Sequence, residues 1–449
     1  MKNKLTFIGA GSTIFLKNII GDILEFPTLS DFHFTLMDID KKRLQETQKV
    51  VQNLIKINNN KATVSMSSNQ KEALKGADFV VVAFQIGGYN PCTIIDFEIP
   101  KNYGLHQTIG DTLGIGGIMR GIRTVPHLWS ICDDMSRVCP DAYLLQYVNP
   151  MAINTWAIAA KYPEIKQIGL CHSVQGTAEE LAKDLNIPIS DLRYRVGGIN
   201  HMAFYLDLEI RQENGSFKDA YPQLRSGFQD GKLPKSYGAN KRCLNLVRYE
   251  VMKHFGYFVT ESSEHFSEYV TWFIKSHRPD LISRFSIPLD EYPKRCEEQI
   301  LEWSNYTKAL KSGIDINHKT SNEYAASIIN SLLTDEECVV YGNVKNEKLI
   351  TGLPEACAVE VPCIINKKGI NPQKILDLPK SLIAIMRTNI NVQELVVDAL
   401  LHHSIDSVYH AAMLDPRTAA ELDLDQIRNL VDDLFLAHGD WMPSWVRAR

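Results

Sequence analysis

Two short stretches of this chain hold side chains able to do chemistry together: Gln167-Ile168-Gly169-Leu170-Cys171-His172-Ser173 and Gly198-Ile199-Asn200-His201-Met202. Residues 168–170 are an apolar run that reads as a buried parallel strand. Cys171 and His172 then emerge at its carboxyl end, where open α/β sheets bind their ligands. His201 follows a second strand-like run. A thiolate and an imidazole together suit a borderline divalent metal, with positions left open for a substrate. The competing reading is structural, because a lone cysteine is usually a small buried hydrophobe and two ligands fall short of the four that mark zinc spacings. Spacing alone leaves both readings open.

A sheet must lie beneath these residues, and the first half of the chain supplies its pattern. Residues 4–10 (KLTFIGA) form a strand pattern ending in Gly9-Ala10-Gly11-Ser12, and residues 13–24 continue at helical spacing with Ser12 or Thr13 as N-cap. Strand, glycine turn and helix is the context of a dinucleotide phosphate turn. Gly9 would allow the tight turn, and Gly11 and Ser12 would bring the pyrophosphate to the backbone and the helix N-terminus. The third glycine of the usual fingerprint is absent, since position 14 is Ile14. Residues 32–37 end in Asp38, whose carboxylate suits the two ribose hydroxyls of an adenosine and repels a 2′-phosphate, placing NAD ahead of NADP. A plain turn residue is the alternative for Asp38.

Residues 62–66, 77–84 and 143–148 keep the alternation of strands and helices. The second of these ends in Gln85 and the third in Asn149-Pro150. The glycine-rich stretch Gly114-Ile115-Gly116-Gly117 reads as a loop before a helix over 118–138. The result is an α/β fold with a Rossmann-type doubly wound parallel sheet. Gly9, Asp38, Gln85, Asn149 and Cys171 would line one rim.

Near residue 195 the rhythm changes, which divides the chain into a dinucleotide-binding domain over 1–195 and a C-terminal α+β domain over 196–449. Residues 193–200 and 203–208 look like antiparallel strands. Residues 211–239, rich in Gly, Pro, Ser and Lys, read as an excursion or mobile loop. A helix over 241–254 and a strand over 257–260 lead into Glu261-Ser262-Ser263-Glu264-His265. Residues 338–343 and 358–365 are further strand candidates, and 381–403 and 426–438 are helical by periodicity. The apolar helices at the C-terminal end suit the interface of a homodimer or homotetramer.

Composition excludes several classes. A formal net charge of −5 gives no case for nucleic acid or an anionic membrane. No apolar run reaches the roughly 18 residues needed to span a bilayer, and residues 1–5 lead into a strand with no apolar h-region before it, so no secretory leader is expected. Nine cysteines are scattered without CxxC spacing, which points to reduced thiols in a cytoplasmic protein.

The Phe7-Ile8-Gly9-Ala10-Gly11-Ser12 turn, Gly114-Ile115-Gly116-Gly117 with Arg120 and Arg123-Thr124, Val148-Asn149-Pro150, Gly169-Leu170-Cys171-His172 and Gly198-Ile199-Asn200-His201 occur in this order. Together they resemble the NAD- and metal-dependent glycosidases of glycoside hydrolase family 4, over nearly the whole chain. The stretches from Val80 to Tyr89 and from Cys171 to Glu180 are most similar to the bacterial α-galactosidases of that family.

The resemblance implies the fold of lactate and malate dehydrogenases with an added C-terminal domain. It also implies NAD and a divalent metal, manganese foremost, held by Cys171 and His201. Asn149 would contact the sugar, with Asp96 nearby as a further hydroxyl contact or a helix cap. His172, where other members often carry an aspartate, would protonate the departing oxygen. The implied reaction on an α-galactoside such as melibiose is oxidation at carbon 3, loss of the carbon-2 proton, elimination of the group on carbon 1, addition of water and re-reduction. The base is expected between Glu261 and Tyr269, with His265 and Glu264 as candidates; a solvated turn is the alternative. Phosphosugar-specific members carry an arginine shortly after the tyrosine matching Tyr89, where this chain has Asn90-Pro91-Cys92, so an unphosphorylated galactoside is implied.

Other activities within the family, α-glucosidase or α-galacturonidase, remain alternatives. So does a malate- or lactate-type 2-hydroxy acid dehydrogenase using Arg120 or Arg123 as a carboxylate clamp, or a non-catalytic NAD sensor.

Overall fold

The computed structural model describes residues 2–58, 60–236, 244–311 and 318–447. Strands β1 (Asn3–Ile8), β2 (Phe32–Met37), β3 (Thr63–Ser67), β4 (Phe79–Val82), β5 (Tyr143–Gln146) and β6 (Lys166–Leu170) pair in parallel in the order β3-β2-β1-β4-β5-β6. This is the strand order of a doubly wound dinucleotide-binding sheet. Every residue of β4 is buried, as a central parallel strand covered on both faces requires.

The register explains the shared rim. Ile8 pairs with Met37 on one side and with Val82 on the other. Val82 pairs with Gln146, and Gln146 with Gly169. The residues that follow these strand ends, Gly9, Asp38, Gln85, Asn149 and Cys171, therefore leave the sheet on the same side.

The second half extends this sheet. Strands β7 (Leu192–Ile199), β8 (Met202–Arg211), β9 (Phe217–Asp219), β10 (Phe258–Val259), β11 (Cys338–Lys345), β12 (Ala358–Asn366) and β13 (Gly369–Pro372) are all antiparallel to their neighbours. The path runs β10-β8-β7-β12-β11 and joins the parallel half where Gly342 pairs with Leu170. Two buried apolar clusters result: a large one shared by both halves, and a smaller one between β7, β8 and the helices Ser173–Leu185 and Tyr221–Gln229.

Two expectations are corrected. Gly114 to Gly117 do not form a loop but the first turn of a helix, Gly114–Val138. A Cβ on Gly116 would stand 2.3 Å from the Gly110 carbonyl oxygen, and one on Gly117 2.7 Å from the Thr112 carbonyl carbon. These glycines let the preceding loop press against the helix. The polar stretch over 211–239 is not a featureless excursion either, since it holds β9 and the helix Tyr221–Gln229. Tyr221 and Leu224 are the buried residues that anchor this helix. Residues 237–239 of that stretch and 241–243 of the next expected helix lie outside the described residues; the helix observed is Leu246–Phe255.

Among the described residues no helix is long and apolar enough to cross a membrane, and their cysteines are all free thiols.

Candidate active site

Two strands carry the register from Cys171 to His201. Leu170, just before Cys171, pairs with Gly342; Asn343 pairs with Glu360; Glu360 pairs with Gly198, shortly before the turn that holds His201. His201 lies in the left-handed backbone region, with φ of 62°, and Glu261, just beyond β10, does so with φ of 64°. Non-glycine residues rarely occupy that region.

The result is a compact donor set. Cys171 Sγ is 3.3 Å from His201 Nε2, and Nε2 is 3.6 Å from Glu261 Oε2. One ligand atom from each of Cys171, His201 and Glu261 lies within 4.8 Å of the others. Sulfur, imidazole nitrogen and carboxylate oxygen around one point fit a borderline divalent ion, and three ligands leave coordination positions open. Burial, followed by the charges of Glu261 and Glu360, pushes the Cys171 thiol well above its ordinary value. A cation at this point is what would make the sulfur a thiolate. Burial also opposes ionisation of Glu261, but the neighbouring His265, His201 and His172 overcome it and hold the carboxyl below its usual range. On the far side of the His201 ring, Nδ1 is 3.1 Å from Thr112 Oγ1 and 3.2 Å from the Tyr269 hydroxyl. These contacts orient the ring so that Nε2 is left for the cluster.

The stretch from Glu261 to Tyr269 is not a solvated turn. It enters a helix, Ser263–Tyr269, in which every residue is buried. Side chains four apart share a helix face, so His265 and Tyr269 turn together toward His201. The His265 ring centroid is 4.9 Å from that of His201, and its Nδ1 is 2.7 Å from Ser262 Oγ and 3.2 Å from Glu261 Oε1. Burial pulls the His265 imidazole below its ordinary value despite the Glu261 charge.

Glu264 and Glu268 share the other face. Glu264, the other candidate base, is thereby turned away from His201, with Oε1 2.5 Å from Arg295 Nη2. Glu268 accepts the backbone N–H groups of Thr108, Ile109 and Gly110 at 2.8, 3.2 and 2.9 Å. It thereby fixes the loop that delivers Asp111 and Thr112. Asn149 Nδ2 donates to Asp111 Oδ2 at 3.0 Å, and Arg120 approaches the same oxygen at 3.7 Å. The Arg120 guanidinium also meets the Tyr292 hydroxyl, which donates to Gln85 Oε1 at 3.3 Å. Gln85 and Asn149 thus belong to one polar network beside the metal-type cluster.

Asp96 lies elsewhere. It is buried in the helix Ile94–Asn102, paired with the fully buried Arg123 guanidinium, and Oδ1 lies 2.9 Å from His438 Nε2. Both its oxygens face these partners and not the Cys171 cluster, and Arg123 in turn is committed to Asp96. His172 stands at the rim with its side chain 62% exposed, and its Nδ1 is 3.7 Å from Glu323 Oε1.

At the glycine turn, Gly9 and Ala10 donate to the Met37 carbonyl at 3.0 and 2.9 Å. Gly9 has φ of 88°, and a Cβ there would stand 2.2 Å from the Ala83 oxygen. Gly11 N–H donates to Asp38 Oδ2 at 2.6 Å, and Asp40 N–H to Oδ1 at 2.8 Å. Ser12 is the N-cap of the helix Thr13–Glu25; its side chain makes no cap bond, and no acidic residue stands in the first turn. The amides at that N-terminus fit an anion such as a pyrophosphate.

Sequence reasoning named Glu261 within the stretch 261–269 without a ligand role, and it passed over Asp111, Thr112, Tyr292 and Glu323, which the structure brings to the same region. Asp111 and Thr112 follow a glycine directly before the glycine-rich helix start, a usable signal. Tyr292 and Glu323 come from distant segments and carry none.

A model of Family 4 glycosyl hydrolases matches residues 4–187, and one of the Family 4 glycosyl hydrolase C-terminal domain matches residues 196–418. The chain is 46% identical over 442 residues to an alpha-galactosidase of Bacillus subtilis, covering 98% of this chain and 99% of that one. It is 32% identical over 457 residues to an alpha-galactosidase of Rhizobium meliloti, covering 99% and 90%. Its fold is similar to a 6-phospho-alpha-glucosidase from gut microorganisms solved in complex with NAD and Mn2+, with a TM-score of 0.82 at 21% identity and 99% of each chain covered.

Proposed function

The chain belongs to glycosyl hydrolase family 4, and from that premise we propose that it is an α-galactosidase acting on unphosphorylated α-galactosides such as melibiose, with NAD and a divalent metal, manganese foremost. The observation that carries this reading is the Cys171, His201 and Glu261 donor set opening on the rim that also holds the dinucleotide turn. The 46% identity to an alpha-galactosidase supports the choice of sugar. Glu297 Oε1 accepts the Tyr89 hydroxyl at 2.7 Å, and an acid there disfavours a phosphorylated sugar.

When bound, the nicotinamide would supply reversible oxidation at sugar carbon 3, and the metal would supply Lewis-acid stabilisation of the negative charge that develops on the sugar. Cys171, His201 and Glu261 would hold the metal, while the turn of Gly9, Gly11 and Ser12 would bring the pyrophosphate to the N-terminus of the helix Thr13–Glu25 and Asp38 would meet the adenosine ribose. Asn149, steadied by Asp111, orients the sugar hydroxyls. His265, kept neutral by burial, takes the proton from carbon 2, which the neighbouring ketone has acidified. His172 gives a proton to the glycosidic oxygen as its bond to carbon 1 breaks. Water then adds at carbon 1, giving up a proton to His172, while His265 returns its proton to carbon 2; restoring carbon 3 would draw on the reduced nicotinamide, so cofactor would not be consumed. Most glycosidases instead use two carboxylates.

We assign residues 1–195 to cofactor binding and 196–449 to an α+β unit completing the site, in a cytoplasmic homodimer or homotetramer. The test is turnover of an aryl α-galactoside by metal-stripped, cofactor-free protein with NAD+ and Mn2+ added singly and together. Activity only with both is expected. Activity with neither would mean conventional acid catalysis and would sink the reading.

A further inference from the structure

The His172 side chain is largely exposed, yet the carboxylate facing it is not. Glu323 is only 11% exposed on its side chain, and its Oε1 is 3.7 Å from His172 Nδ1. A secluded carboxylate is costly unless it has a partner. Among the described residues, the nitrogen-bearing side chain within 4.0 Å of that carboxylate is His172.

The chain carrying Glu323 is held on both sides. Upstream, His318 Nε2 lies 2.7 Å from Asp22 Oδ1, Ser321 N–H donates to the same oxygen at 2.9 Å, and Thr320 Oγ1 donates to Glu25 at 2.9 Å. Asp22 and Glu25 belong to the helix Thr13–Glu25 that begins at the glycine turn. Next to Glu323, Asn322 Nδ2 donates to Glu179 Oε1 at 2.9 Å, and Glu179 lies on the helix Ser173–Leu185 whose N-cap is His172. Downstream, Ala325 N–H donates to the Tyr147 hydroxyl at 3.1 Å. A segment tied to the cofactor helix, to the helix His172 opens and to the end of β5 thus presents its carboxylate to one ring nitrogen of His172.

We propose that Glu323 is a positioning residue for His172: its carboxylate fixes the Nδ1 side of the imidazole, so that Nε2 is the nitrogen turned toward the departing glycosidic oxygen. This rests on the reading of His172 as the acid. A base or acid oriented by a third group is a recurrent arrangement, and such contacts are often long before substrate binds and tighten afterwards. The proton passed to the leaving oxygen comes from Nε2. Glu323 neither gains nor loses a covalent bond.

The test compares Glu323→Gln, Glu323→Ala and Glu323→Asp with His172→Ala in the full-length protein supplied with NAD+ and Mn2+. Two substrates are used: an α-galactosyl disaccharide, whose leaving sugar needs a proton, and 2,4-dinitrophenyl α-galactoside, whose leaving group does not. For Glu323→Gln and Glu323→Ala, kcat on the disaccharide is expected to fall roughly 10- to 100-fold and on the aryl substrate less than about threefold, a loss smaller than the ~100- to 10,000-fold of removing a general acid outright. KM and Mn2+ binding should stay unchanged, and Glu323→Asp should recover part of the loss. Should His172→Ala show the leaving-group dependence while the Glu323 variants do not, the positioning role is overturned and the acid reading stands. Should His172→Ala itself lose both substrates equally, the acid reading falls and the inference with it. Equal losses on both substrates in Glu323→Gln, the variant closest in shape, would also overturn it.

Discussion

His201 and Glu261 face each other across 3.6 Å, each from a left-handed backbone conformation with φ of 62° and 64°. Such conformations cost of order 1–3 kcal/mol each in non-glycine residues and persist where surrounding structure enforces them, typically at functional sites. Here β7 and β8 pair tightly on either side of His201, and Glu261 follows directly on β10, which pairs with β8. The sheet edge therefore bends two polar side chains inward onto Cys171.

Glu261 is expected to be a third metal ligand. Glu261→Ala should weaken Mn2+ binding by more than the roughly 10- to 100-fold typical of losing a supporting outer-shell partner. Dinucleotide affinity should be unaffected. Titration of free Mn2+ by electron paramagnetic resonance measures this without turnover. Unchanged affinity in the variant would remove Glu261 from the ligand set.

Asp96 is expected to matter for stability and not for sugar binding. Asp96→Ala leaves the Arg123 guanidinium, fully buried, without its carboxylate. Breaking a buried pair in this way costs about 3–5 kcal/mol. Thermal unfolding should shift down, while KM of the remaining folded enzyme stays near wild type. A raised KM with an unchanged unfolding temperature would restore the sugar contact.

What the sequence disclosed follows from the range of the signals it carries. The six parallel strands announce themselves through local apolar runs, and FVVV of β4 is a plain case. The placement of Gly9, Asp38, Gln85, Asn149 and Cys171 on one rim follows from strand ends, also a local property. The joining of Cys171 to His201 does not, because it depends on β11 and β12 inserting between β6 and β7. Nor did local charge reveal which of Glu261, Glu264 and His265 face inward. A helix begins at Ser263, and its period sends Glu264 to Arg295 and His265 to His201. Gly114 to Gly117 misled for a related reason, since glycine there serves close packing on Gly110 and Thr112 and not chain reversal.

Glu360 makes stability depend on pH in a defined direction. Burial, offset only partly by the Asn343 amide at 3.2 Å, raises its carboxyl from 4.5 to about 8. The folded protein thus keeps a proton that the unfolded chain releases above about pH 4.5. Where the folded state binds the extra proton, stability falls as pH rises. The contribution of this group is full below about pH 4.5 and is lost progressively up to about pH 8. Glu360→Gln keeps the neutral shape, so the difference in unfolding temperature between wild type and variant, both metal-free, should grow in favour of the variant through this window. A difference independent of pH would show that Glu360 is already ionised.

Two helical glycines should respond to alanine in opposite ways. In the middle of a helix glycine costs roughly 0.5–1 kcal/mol relative to alanine. Gly176, in the helix Ser173–Leu185, has nothing within 4 Å of where a Cβ would lie. Gly176→Ala should therefore stabilise the ligand-free protein by up to about that amount. Gly116 enjoys no such room, for its Cβ would press on the Gly110 carbonyl oxygen at 2.3 Å. Relief requires the backbone of the loop 107–113 to move, and overpacking of this kind costs typically about 1–3 kcal/mol. That loop is clamped to Glu268 and delivers Thr112 to His201 and Asp111 to Asn149. Gly116→Ala should thus lower both the unfolding temperature and the Mn2+-dependent activity, whereas Gly176→Ala raises the first. If Gly116→Ala were neutral in both measurements, the close packing of loop on helix would not be what holds Asp111 and Thr112 in place.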